Sequence, residues 1–162
     1  MGRSRLLLLF VILFLPGTLP ARQGAGQLAL STGAFAIVDK ENTLEFSIEY
    51  RSGEKLGFFT PVLGMQMTSN GAVYTFSGFN FDVFTRGHFA ITPSFAAGVY
   101  TRGEGKNLGG AIEFRSGLEL SWVSAKSIRV SLAVHHISNA GIYSYNPGAE
   151  SIVLTFAQPL HF

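Results

Sequence analysis

Apolar and polar residues alternate along most of the chain after residue 26, with the period of two that a β-strand imposes. Clusters of Gly, Asn, Asp and Lys separate the alternating segments and are typical of turns. No helical period of useful length competes with this pattern. It predicts eight strands, at residues 27–38, 43–51, 56–67, 71–84, 88–101, 109–123, 127–138 and 150–161.

The two faces of these strands differ in character, most clearly in the sixth segment. One face is apolar apart from Ser116, and the other holds charges and small residues, namely Ala111, Glu113, Arg115, Gly117, Glu119 and Ser121. The second and fifth segments repeat the arrangement. Alternation alone fits both a soluble barrel with an apolar interior and a transmembrane barrel with an apolar exterior.

Three features favour the transmembrane form. The apolar faces are too large and too aromatic for the interior of eight strands, and the opposite faces carry the small residues that a narrow interior needs. The last residue, Phe162, falls on the apolar parity, as is typical of outer-membrane barrels. We therefore predict an all-β fold, an eight-stranded antiparallel up-and-down transmembrane β-barrel. The long connections 102–108 and 139–149 should face outward, and the short turns 85–87 and 124–126 should face the periplasm.

Composition narrows the classes further. The chain has 162 residues, with 14% charged residues, 13% aromatic residues and no cysteine. These values exclude a disordered chain, a disulfide framework and a cysteine-ligated metal site. The longest apolar run, at residues 6–15, is shorter than the roughly 20 residues of a spanning helix. It follows Arg3 and Arg5 and ends in a Pro and Gly break before Ala21, which predicts a signal peptide over 1–21 and a barrel domain over 22–162.

The signal peptide also accounts for the apparent basicity of the chain. The 12 Lys and Arg residues exceed the 10 Asp and Glu residues only because Arg3 and Arg5 are counted, and without these two the net charge is zero. Recognition of nucleic acid requires a basic patch or stripe, so we expect no nucleic-acid partner.

Three polar residues interrupt the apolar parity of the last two strands. His136 and Ser138 continue the apolar face of the seventh strand, and Glu150 continues that of the eighth. Glu150 is the only charge on this parity in the five strands with clear alternation, and a charge there costs up to about 1 kcal/mol even near the interface. A serine becomes a nucleophile when a histidine takes its proton, and a carboxylate orients that histidine. The pattern thus predicts serine chemistry at the outer rim.

Such chemistry also needs donors for an oxyanion. The backbone N–H groups of 139–141 follow the serine directly, and Asn146 supplies a side-chain amide. Several plainer interpretations stay open. In the first, His136 and Ser138 are ordinary polar residues at the membrane interface. In the second, residues 146–148 form only a turn and Asn139 braces its loop. In the third, His135 and His136 together bind a metal ion. The metal pair is disfavoured because adjacent strand residues point to opposite faces.

Other polar residues are most simply structural. His88 lies on the interior parity and His161 lies near the periplasmic end. We expect a buried ion network inside the barrel, formed by Glu45, Glu49, Glu113, Arg115, Glu119 and Arg129.

The stretch 136–141 (His-Ile-Ser-Asn-Ala-Gly), followed by 146–148 (Asn-Pro-Gly) and Glu150, resembles the active-site signature of the lipid A 3-O-deacylases of Gram-negative outer membranes, the PagL family. The resemblance is strong over about the last 30 residues. Over the earlier strands it is limited to size, strand count and the Glu-Tyr-Arg of 49–51.

The resemblance implies a role for each matching residue. His136 resembles the general base, Ser138 the nucleophile and Glu150 the orienting acid, while Gly141 and Asn146 resemble the oxyanion hole with Asn139 in support. It further implies an integral outer-membrane enzyme with its site toward the extracellular leaflet. The enzyme would remove the 3-hydroxyacyl chain at position 3 of lipid A, in lipopolysaccharide, without a cofactor.

Two other classes remain as alternatives. One is a non-catalytic envelope barrel with a structural or adhesive role. The other is a secreted soluble barrel that binds an apolar ligand, although Trp122 lies too late in the chain for the N-terminal Gly-x-Trp of lipocalins. The sequence leaves a homodimer open and assigns no residue to an acyl groove.

Overall fold

The computed structural model describes residues 24–39 and 42–160, which form nine strands. The predicted signal peptide, His161 and Phe162 lie outside the described residues. Within the described ranges, no helix is long and apolar enough to cross a membrane. The strands are β1 Gln27–Phe35, β2 Thr43–Arg51, β3 Thr60–Thr68, β4 Val73–Asn80, β5 Phe84–Arg86, β6 Phe89–Thr101, β7 Ile112–Val123, β8 Arg129–Ser138 and β9 Ala149–Pro159.

The strands close into a barrel in which every pairing is antiparallel. The sheet order is β4-β3-β2-β1-β9-β8-β7-β6-β5, and an additional pairing of β4 with β6 closes it. β4 and β5 both pair with β6 and are two parts of one wall strand. The wall therefore has eight members, and the predicted eight-stranded antiparallel barrel is confirmed.

A β-bulge separates β4 from β5. Residues 81–83 lie opposite only Thr92 and Pro93, because the register shifts by one residue across this segment. The N–H groups of Phe81 and Val83 still donate to Pro93 and Ile91 of β6. The alternation predicts one continuous strand over 71–84, since a one-residue bulge leaves little trace in the sequence.

The predicted third strand begins four residues too early. Leu56 and Phe59 exchange two backbone hydrogen bonds in a tight turn, and β3 starts at Thr60. Phe58 and Phe59 pack against Phe81, with ring centroids 6.1 and 5.6 Å away. The apolar residues of this turn continue the apolar pattern of β3, and the sequence pattern therefore predicts a longer strand.

A network of charged residues shares the interior of the barrel with a buried apolar cluster that includes Tyr74 and Phe76. Arg51 donates to both carboxylate oxygens of Glu119, at 3.1 and 2.7 Å, and to Glu49 at 2.9 Å. Arg115 donates to the other oxygen of Glu49 at 3.0 Å. These side chains are buried, so the predicted ion network exists and Arg51 belongs to it.

The network is smaller than the sequence predicts. Arg129 pairs separately with Asp82, at 2.7 Å. Glu45 and Glu113 are buried, but none of their carboxylate oxygens has a hydrogen-bond partner among the described residues. These residues share the interior parity, but parity alone does not place them within reach of an arginine.

The outer surface is apolar. Large side chains such as Leu132 and Leu154 expose 47% and 62% of their area on the face opposite the ion network. An apolar exterior around a charged interior is the arrangement of a transmembrane barrel. The soluble barrel, which requires an apolar interior, is excluded.

Replacing Arg51 by Met should destabilise the barrel, because Glu119 then keeps a buried charge without its main donor. Breaking a buried ion pair in this way costs about 3–5 kcal/mol. A urea titration of the protein in phospholipid vesicles measures the free energy of unfolding. Arg102→Met, at an exposed loop position, is the control and should change it by less than about 0.5 kcal/mol. Equal stability of both variants would contradict a stabilising role for the network.

Candidate active site

The pairing of β8 with β9 brings His136 directly opposite Glu150. Nδ1 of His136 lies 3.1 Å from Oε1 of Glu150, and the two side chains are 48% and 42% exposed on the outer surface. In the tautomer that carries its proton on Nδ1, this N–H group donates to the carboxylate of Glu150. Nε2 is then the unprotonated, basic nitrogen of the ring. The geometry is that of a histidine oriented by an acid.

Ser138 lies two residues beyond His136 and faces the same side of the wall. It is half-buried and sits opposite Phe114 of β7, whose ring stacks on Phe95 at 6.1 Å. Among the described residues, no hydrogen bond joins Ser138 to the imidazole. The structure therefore brings two of the three predicted residues into contact and puts the third on the same face.

A second serine also flanks the imidazole. Ser116 of β7 pairs with His136 on the side opposite Glu150 and is exposed. The sequence shows only that Ser116 shares the apolar parity of its strand. The register between β7 and β8, which alternation does not specify, is what places it beside the histidine.

Asn139 ties together the loops beside the site. It is fully buried, and its Nδ2 group donates to the carbonyls of Leu108 and Tyr145, both at 2.9 Å. Its Oδ1 atom accepts the N–H of Gly141 at 3.0 Å. The bracing interpretation of Asn139 agrees with this geometry.

The two predicted oxyanion donors differ in their availability. Oδ1 of Asn146 accepts the N–H of Asn139 at 3.0 Å, which orients the amide and leaves its Nδ2 group to donate elsewhere. The N–H of Gly141 is already bonded to Asn139. Of the two groups, the Asn146 amide is therefore the one whose donor is not already engaged by Asn139.

His135 and His88 take no part in this arrangement. His135 lies on the inner side of the wall and lines an interior cavity, so it cannot share a metal ion with His136. No three His, Asp or Glu side chains within residues 24–39 and 42–160 could hold a metal ion. His88 bonds the carbonyl of Val123 at 2.8 Å and stacks on Trp122, as expected of a structural residue.

These features together define a class of protein. A closed barrel with an apolar exterior spans a membrane, and a histidine oriented by an acid can activate a serine for ester hydrolysis. The chain therefore has the architecture of a membrane-embedded barrel, and His136, Glu150 and Ser138 form a candidate hydrolase site on one face of its wall.

A family model described as lipid A 3-O-deacylase (PagL) matches residues 41–159. The match covers more than half of the chain, and the chain belongs to this family of outer-membrane ester hydrolases. The family predicted from the sequence is confirmed. No curated protein matches the chain at a significant level.

Solved structures agree on the fold. The crystal structure of the outer membrane enzyme PagL superposes with a TM-score of 0.61 at 15% identity, covering 83% of this chain and 99% of that one. Neisserial surface protein A gives a TM-score of 0.58 at 8% identity, covering 86% and 99%. A de novo designed transmembrane β-barrel gives 0.58 at 9% identity, covering 85% and 98%.

Replacing Asn139 by Asp should loosen the loop 139–148. The new carboxylate cannot donate to Leu108 and Tyr145, and it lies against their carbonyl oxygens instead. We expect faster hydrogen exchange in the loop while the strands keep their protection. Asn107→Asp is the matched control. Among the described residues, the side chain of Asn107 accepts a hydrogen bond from the N–H of Gly109 and donates none, and a carboxylate keeps that bond. Equal exchange in both variants would contradict the bracing role.

Proposed function

We propose that the protein hydrolyses the ester-linked 3-hydroxyacyl chain at position 3 of lipid A, with His136, Ser138 and Glu150 as a catalytic triad. The observation that carries the proposal is the hydrogen bond between His136 and Glu150 on the apolar outer surface, with Ser138 on the same face. The reaction is that of the family to which the chain belongs. The pairing of β8 with β9 places Glu150 where it can orient the imidazole of His136.

The proposed reaction follows from the chemistry of these groups. Oγ of Ser138 attacks the ester carbonyl as Nε2 of His136 takes its proton, and Glu150 stabilises the resulting imidazolium. The side chains start on residues about 7 Å apart along one strand, within reach of each other after rotation of the serine. Nδ2 of Asn146 stabilises the oxyanion, and the N–H of Gly141 joins it by giving up its bond to Asn139.

Collapse of the tetrahedral intermediate breaks the ester bond. The sugar hydroxyl leaves with the proton held by His136, and the acyl chain stays on Ser138. Water, deprotonated by the same histidine, then releases a 3-hydroxy fatty acid and restores the serine. No cofactor enters either step.

The placement of the loops supports a site in the outer leaflet. The connections 102–111 and 139–148 lie at the end of the barrel that carries His136 and Glu150. Long connections of such barrels face outward, where lipid A resides. The ester would then reach Ser138 sideways from the bilayer.

Mass spectrometry of lipid A from Gram-negative cells that express the protein tests the proposal. Wild-type protein and Ser116→Ala should remove one 3-hydroxyacyl chain, while Ser138→Ala and His136→Ala should be at least about 10³-fold slower. Ser116→Ala is the matched control, since this serine flanks the same imidazole from β7.

The four proteins separate the possible failures. Heat-modifiable migration in detergent gels first confirms that each barrel is folded. Loss of activity in Ser116→Ala with retention in Ser138→Ala would move the nucleophile to β7. Identical lipid A with all four proteins would instead indicate a non-catalytic barrel.

A further inference from the structure

Gly148 lies directly against the imidazole of His136. A Cβ atom built on Gly148 would be 2.9 Å from Cε1 of the ring, 3.5 Å from Nε2 and 3.3 Å from the carbonyl oxygen of Ile137. Separations under 3.0 Å are essentially never seen for real Cβ atoms. No side chain therefore fits at position 148 while the ring keeps its place.

The position of the ring therefore depends on two residues of one segment. Glu150 bonds Nδ1 at 3.1 Å, and position 148 carries no side chain beside the neighbouring Cε1–Nε2 edge of the ring. A side chain at position 148 would push this edge away and turn the ring about its hydrogen bond to Glu150. The same edge carries the nitrogen that must face the serine and the ester.

We infer that Gly148 is a positioning residue: because it lacks a side chain, the ring of His136 keeps the direction that Glu150 sets, and Nε2 stays uncovered. The inference rests on the proposed function, because it assigns the base of that reaction to Nε2. Residues 146–148 then contribute to catalysis as well as forming a turn. The side-chain amide of Asn146 donates to the oxyanion, and Gly148 leaves room for the imidazole of His136.

Backbone conformation alone does not explain the glycine. Gly148 has φ +64°, a conformation that L side chains rarely adopt. Gly57 has nearly the same conformation, with φ +66°, but no atom lies within 4 Å of its built Cβ. Gly148→Ala therefore adds backbone strain and a collision with His136, whereas Gly57→Ala adds only the strain.

This pair of variants provides the test in purified, refolded enzyme with lipid A in mixed micelles. We expect Gly148→Ala to lower kcat about 100-fold, since misplacement of a catalytic group by 1 Å has an effect of this order. KM should stay within about 3-fold, and Gly57→Ala should change both constants by less than about 2-fold. A purely structural role would not confine the loss to kcat.

A double-mutant cycle covers the case in which Gly148→Ala folds poorly. Removal of the ring in His136→Ala frees space for the new Cβ, so Gly148→Ala should shift the urea midpoint less in that background than in wild type. Equal midpoint shifts in both backgrounds, or a kcat like that of Gly57→Ala, would overturn the inference. If wild type leaves lipid A intact, the proposed function fails instead, and the midpoints still report the contact.

Discussion

Hydrocarbon offers no hydrogen-bond partner to a protein backbone, and the architecture follows from this constraint. Each wall strand must satisfy its N–H and C=O groups on its neighbours, which requires the pairing of β4 with β6 that closes the sheet. Closure gives every strand one face toward lipid and one toward the interior. Charges such as Arg51 and Glu119 must then lie inside, where they neutralise one another. Even in the bulge at 81–83, the N–H groups of Phe81 and Val83 stay bonded to β6.

The same pairing determines the site. His136 meets Glu150 because β8 and β9 have one register, and a slip of one residue would place Glu150 opposite a side chain that points inward. The N–H of Ile37, just beyond β1, also bonds the carbonyl of Glu150, so this residue is held from both sides. His136 and Glu150 thus stand on the rigid wall, and the loop carries Asn146 and the glycine beside the ring.

Parity along the chain was enough to predict the eight wall strands and to put His136, Ser138 and Glu150 on one face. It could not predict features that depend on which residues lie opposite one another. Ser116 is unremarkable in the sequence until the register puts it beside the imidazole. The sequence indicates only a turn at Gly148, because its closeness to a ring twelve residues earlier depends on the hairpin between them. Alternation also does not distinguish the turn at residues 56–59 from the strand that follows it.

A substrate lipid reaches a site on the outside of the wall by lateral diffusion within the plane of the membrane. Lipids in one leaflet already share an orientation, so a molecule that reaches His136 and Ser138 has less rotational freedom to lose than one arriving from water. The relevant concentration is then the number of lipid molecules per unit area of leaflet. Diluting a cell suspension leaves that quantity unchanged, whereas altering the lipid composition of the leaflet changes it directly.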